Sequence, residues 1–142
     1  MSGANENPGV WDPAEGFAAM RAGESQLDFD IAFFDRVLER YPNYLDVLRC
    51  QGQLLSRKGL HARALAVDRR LVRLQPEDCV AHYNLACSLA LSHQSAEAIQ
   101  ELKSALEHGY EDFSYLESDS DLDSLRGQPG YQDLLREFGI GD

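Results

Sequence analysis

Through the middle of the chain, apolar residues recur every three or four positions, and polar breaks divide them into segments of helical length. Residues 28–41 (DFDIAFFDRVLERY) place Ile31, Phe34, Val37 and Leu38 at helical spacing, and Pro42 ends the run. Two longer stretches each read as a pair of helices joined by a tight turn. They are LDVLRCQGQLLSRKG with LHARALAVDRRLVRLQP, then CVAHYNLACSLALSHQ with SAEAIQELKSALEHG. The first helix of the earlier pair is expected to stop near Gly59, where a left-handed residue is needed, and the second just before Pro76. Trp11 to Gly23 reads as a short helix with Asp12 as N-cap and Pro13 in its first turn, while the polar residues 1–10 are expected to be disordered. No run alternates with period two long enough to predict a strand. The expected class is all-α.

The two pairs are copies of one another. Leu48, Gly52, Leu55, Gly59, Ala64, Leu65, Leu71 and Pro76 have counterparts 34 positions on in His82, Ala86, Leu89, His93, Ala98, Ile99, Ala105 and Tyr110. Counting back by 34 from Leu65, Leu71, Val72 and Pro76 reaches Ile31, Val37, Leu38 and Pro42. Repeats of this length mark an array of helical hairpins, each burying its apolar faces against its neighbours. Beyond Gly109 the pattern changes, and SDSD and GQPG break it into two or three short helices anchored by Phe113, Leu116, Leu122, Leu125, Tyr131 and Leu134. This segment is expected to cover the last apolar face of the array.

The repeated residues resemble the tetratricopeptide repeat, whose pattern is W-x2-L-G-x2-Y, A-x3-F, A and P. Unit 45–78 matches with Leu48, Gln51, Gly52, Leu55, Gly59, Ala64, Asp68, Leu71 and Pro76. Unit 79–112 matches with His82, Leu85, Ala86, Leu89, Ala98, Leu102, Ala105 and Tyr110. A diverged unit at 11–44 keeps Gly16, Gly23, Phe34 and Pro42. The resemblance implies one domain over 11–142, a short right-handed αα superhelix of hairpins with a degenerate cap at 113–142. It assigns Gly52, Ala86, Ala64 and Ala98 to close helix–helix approach, and Leu55, Leu89, Leu71 and Ala105 to the seams between units. Asp68 stands where a large apolar residue is usual, so it is expected either to be turned to solvent or to pair with an Arg. His93 replaces the usual turn glycine and suggests a slightly different turn.

Charge narrows the partners. The net charge of −11 divides into −5 over residues 1–44, +3 over 45–78 and −9 over 79–142. A basic stretch between acidic flanks opposes general binding to nucleic acid or to an anionic membrane, since phosphates need a continuous basic surface. No stretch approaches the apolar length of a membrane span, and the N-terminus lacks a secretory signal, so a cytoplasmic location is expected.

Candidate chemistry is sparse. Cys50, Cys79 and Cys87 include no CxxC pair and are expected to be reduced packing residues. His61, His82, His93 and His108 fall at turns, a helix end and a packing position. The acids Glu117, Asp119, Asp121 and Asp123 lack the glycine and closing glutamate of a calcium loop, and Asp119 to Asp123 are expected to cap a helix. Catalytic residues, a metal site and a cofactor are therefore not expected. By the resemblance, the first helix of each hairpin lines a groove for a partner's peptide or helix, formed here by Arg49, Gln53, Arg57, Tyr83, Asn84 and Cys87. The expected function is a noncatalytic protein–protein interaction module whose partner carries an acidic or mixed-charge segment. The alternative is self-assembly into a homo-oligomer through an exposed end of the array.

Overall fold

The computed structural model of the protein describes residues 25–141. The expected helix at Trp11–Gly23, the segment 1–10 and the first half of the diverged unit lie outside the described residues. Within them the order is α1 (Gln26–Arg40), α2 (Leu45–Lys58), α3 (His61–Leu74), α4 (Cys79–Leu91), α5 (Ser95–Glu107), α6 (Phe113–Ser118), a 3-10 helix (Ser120–Leu125) and α7 (Pro129–Glu137). Every regular element among the described residues is helical, as the 34-residue hairpin pattern predicts.

Local chemistry fixes the helix ends. The Ser25 hydroxyl accepts from the backbone N–H of Asp28 and caps α1. Gly59 stops α2 at φ 86°, where its N–H bonds the Leu55 and Ser56 carbonyls. Its counterpart His93 adopts φ 60°, so the third unit keeps the left-handed turn without a glycine. The left-handed region costs a residue with a Cβ about 1–2 kcal/mol. Asp78 caps α4 by accepting from Val80 and Ala81.

The chain forms two compact units that divide between Val67 and Asp68, so α3 contributes its first half to one and its second half to the other. In the first unit Ile31 of α1, Leu55 of α2 and Ala64 of α3 form a buried cluster, flanked by Leu27, Leu54 and Val67. Gln51 ties α2 to α1 inside this unit. Its Nε2 donates to the Ile31 carbonyl at 3.0 Å and to the Asp35 carboxylate at 2.7 Å. Arg63 donates to the same carboxylate at 2.6 Å, and Lys58 meets Asp28 at 2.7 Å, so acids of α1 neutralise part of the basic stretch.

In the second unit α4 is apolar nearly all round and has neighbours on several sides. Ala86 and Leu89 of α4 and Ala98, Leu102 and Ala105 of α5 are fully buried. A small residue at 86 and 98 lets the helix axes approach, which is the role the repeat assigns to these places. Leu116, Leu122 and Leu125 of the C-terminal segment are equally buried. Removing one such side chain costs about 2–5 kcal/mol, so this segment is a firmly packed part of its unit.

Asp68 takes neither of its expected positions. It is only 6% exposed, and its partner is the Ser88 hydroxyl of α4, which donates at 2.5 Å. The neighbouring Arg69 turns instead to Glu97, with two bonds of 2.6 and 3.0 Å. Burial pushes the Asp68 carboxyl up to about 6, against the smaller lowering effect of Ser88.

Candidate protein-interaction surfaces

The helix period sorts α2 into two faces. Leu48, Gln51, Gly52 and Leu55 are buried, while Asp46, Cys50, Gln53 and Arg57 are exposed, with Arg49 and Ser56 half-buried between them. Arg49 lies 3.4 Å from Asp46 one turn earlier, an exposed pair worth little on its own. Arg49, Gln53 and Arg57 thus share one solvent-facing side of the first unit, with donors suited to carboxylates and peptide carbonyls.

The corresponding residues of the second unit do not behave alike. Val80 is 51% exposed and Asn84 half-buried, but Tyr83 and Cys87 are only 3% and 8% exposed. The expectation that Tyr83 and Cys87 present a surface to a ligand is corrected here: the C-terminal segment covers them. The Tyr83 hydroxyl donates to Asp119 Oδ2 at 2.6 Å, and the Cys87 thiol reaches the same oxygen at 3.6 Å. The Tyr83 ring stacks on Tyr110 at 4.3 Å and 2°, with Tyr115 tilted at 6.0 Å on another side. Ser124 donates to the Ala90 carbonyl at 3.3 Å further along α4.

Asp119 is the centre of this arrangement. Its Oδ1 accepts from the Asp121 N–H at 3.0 Å and starts the 3-10 helix, as the acidic run predicts. Arg126 fastens the same loop by donating to the Asp119 and Leu116 carbonyls at 2.6 and 3.2 Å. Burial foremost, then the Asp119 and Asp121 charges, push the Cys87 thiol far up. Burial and the bond to Asp119 do the same to Tyr83. Tyr110 is pushed up to about 12, chiefly by burial.

Cys87, Asp119 and Asp121 bring three potential metal-ligand atoms within 4.8 Å of one another. Donors already occupy Asp119, which accepts from the Tyr83 hydroxyl, the Cys87 thiol and the Asp121 N–H. A metal ion would have to displace a thiol proton that the surroundings hold tightly.

His82 fills its packing position with a polar cluster. Its Nδ1 lies 2.8 Å from Glu101 and its Nε2 2.6 Å from the Pro76 carbonyl, while its ring stacks on His108 at 5.0 Å. Both partners can only accept, so this geometry suits an imidazolium that donates from both nitrogens. Burial lowers its pKa, but Glu101 and the Pro76 carbonyl outweigh burial and leave it raised.

Paired helices repeating every 34 residues, with small residues at the hairpin contacts, define a helical-repeat protein. No protein-family model matches the chain. A relative from Arabidopsis thaliana whose name marks it as chloroplastic is 34% identical over 91 residues, a match covering 62% of this chain and 27% of that protein. Protein CTR9 homolog of the same organism is 28% identical over 102 residues, covering 71% of this chain and 9% of that protein. The matched regions thus span less than a third of either relative. Among solved structures, the MamA RS-1 ArsTM double mutant superposes with a TM-score of 0.59 at 21% identity, covering 86% of this chain and 72% of that one. The chain has the helical-hairpin fold of the tetratricopeptide repeat. No helix among the described residues is long and apolar enough to cross a membrane.

Proposed function

We propose that this chain is a noncatalytic protein-interaction module that holds a segment of another protein on the solvent-facing side of α2. The observation supporting this reading is the division of α2 itself. Its buried face, with Leu48, Gln51, Gly52 and Leu55, satisfies the unit's packing, while Gln53 and Arg57 are exposed and Arg49 is half-buried on the other side. Two guanidinium groups and an amide on successive turns suit a segment with a carboxylate and an extended backbone. Affinity capture from native lysate with wild type and with the Arg49→Glu/Arg57→Glu variant tests it. A partner recovered by wild type and lost by the variant is expected. Equal recovery by both proteins counts against α2 as the binding surface.

A further inference from the structure

Four large apolar side chains are exposed among the described residues, and three belong to the second unit: Val80 at the start of α4, and Phe113 and Tyr115 in α6, at 51%, 39% and 54% exposure. Val80 precedes Tyr83 by one helical turn, and the Tyr83 ring lies 6.0 Å from that of Tyr115. Buried Tyr83, stacked on Tyr110 and bonded to Asp119, is a rigid backing for the outward ring of Tyr115.

Charge selects the occupant. Residues 111–126 contain six acids, Glu111, Asp112, Glu117, Asp119, Asp121 and Asp123, and one base, Arg126, which bonds Asp123 and the Leu116 and Asp119 carbonyls. Over α4 itself, residues 79–91, there is no Asp, Glu, Lys or Arg. Asp112, Asp119 and Asp121 all act electrostatically on Tyr115, so its ring sits in a negative field. An aromatic face there attracts cations twice over, through the ring quadrupole and through the carboxylates. An acidic segment would be repelled.

We infer that the Val80–Tyr115 surface of the second unit binds a partner segment in which Arg or Lys alternates with apolar residues. This deepens the reading of the chain as a protein-interaction module and rests on it, but its chemistry is opposite to that expected for the arginines of α2. The cation sits over Tyr115 and an apolar neighbour covers Val80.

The test is fluorescence anisotropy of the full chain with three labelled peptides, alternating Leu with Arg, with Gln or with Glu. The Arg peptide is expected to bind at least about tenfold tighter than the Glu peptide. Tyr115→Ser and Val80→Ser are each expected to weaken it about three- to tenfold while leaving the circular dichroism melt unchanged. If Tyr115→Ser binds the Arg peptide as wild type does, attraction by net charge alone explains the result and the inference is overturned. It is equally overturned if sedimentation shows a wild-type dimer that Tyr115→Ser dissolves, because a second copy is then the occupant. Arg49→Glu/Arg57→Glu separates the two readings. Intact peptide binding alongside unaltered partner capture by that variant would remove α2 and leave this surface standing.

Discussion

The Tyr83 hydroxyl donates to Asp119 across 36 residues of sequence, joining the middle of α4 to the N-cap of the 3-10 helix at 2.6 Å. This bond makes a tyrosine at a groove position into an internal strut. Tyr83→Phe keeps the stack on Tyr110 and removes only the donor, leaving Asp119 with the Cys87 thiol and a backbone N–H. Loss of a hydrogen bond to a buried acidic group costs about 1–3 kcal/mol. Urea unfolding followed by circular dichroism should show that loss. A change below about 0.5 kcal/mol would mean that Asp119 finds another donor.

Asp68 makes stability depend on acid. Its folded pKa of about 6 stands above the ordinary 3.8, because burial penalises its charged form. A raised carboxyl contributes fully at pH values below the unfolded pKa. The contribution then falls as pH climbs from 3.8 to about 6 and is absent above. Asp68→Asn keeps the shape and removes the charge. It should therefore stabilise the protein at neutral pH by up to about 2–3 kcal/mol and change little at pH ~4. Thermal melts of both proteins at the two pH values check the sign.

How far the sequence disclosed these features follows from how local their causes are. The helices from Gln26 to Glu107 are legible because spacing, caps and Gly59 act within a few residues. The small residues at 86 and 98 carry their role in their size. The fate of Tyr83 and Cys87 is not local. It depends on Asp119, and a run of acids and serines reads as solvated surface until a packed segment carries one acid inward. Asp68 fails for the same reason, since its partner Ser88 lies 20 residues away on another helix and has no charge to advertise. His93 shows the limit of reading turns by glycine alone, because the repeat geometry holds a left-handed residue there despite its Cβ. Of the α2 residues that the repeat resemblance assigns to a groove, Gln53 and Arg57 are exposed and Arg49 is half-buried.

His82 sets a second pH dependence of separate origin. Its pKa is raised because Glu101 and the Pro76 carbonyl favour the imidazolium, despite the opposing effect of burial. The other charged or titratable neighbours are His108, stacked on its ring, and Asp78, whose charge acts in the same sense as Glu101. The stabilisation is complete below the unfolded histidine pKa of about 6.5 and is lost as pH rises through the higher folded value. Glu101→Gln should lower stability at pH ~6 and flatten the decline between pH ~6 and ~8. Asp68→Asn should leave that decline in place, because its own window ends near pH 6. A Glu101→Gln melting profile parallel to wild type across this range would show that the pair does not act through charge.

The three thiols differ in surroundings: Cys50 is exposed, Cys79 half-buried and Cys87 buried. Only a thiolate attacks a disulfide reagent, so reaction requires both access and loss of the thiol proton. Cys87 is denied both, by burial beneath the C-terminal segment and by the Asp119 and Asp121 charges that disfavour its thiolate. In native buffer an aromatic disulfide reagent should modify Cys50 first and Cys79 more slowly. Cys87 should stay at least about a hundredfold slower than in denaturant, since its reaction requires the covering segment to open. Asp119→Ala removes one of those charges, the acceptor of the Tyr83 hydroxyl and the cap of the 3-10 helix together. It should speed Cys87 labelling well beyond the rate in Tyr83→Phe, which loses a single bond. Equal rates in the two variants would show that Asp119 does not hold the segment over α4.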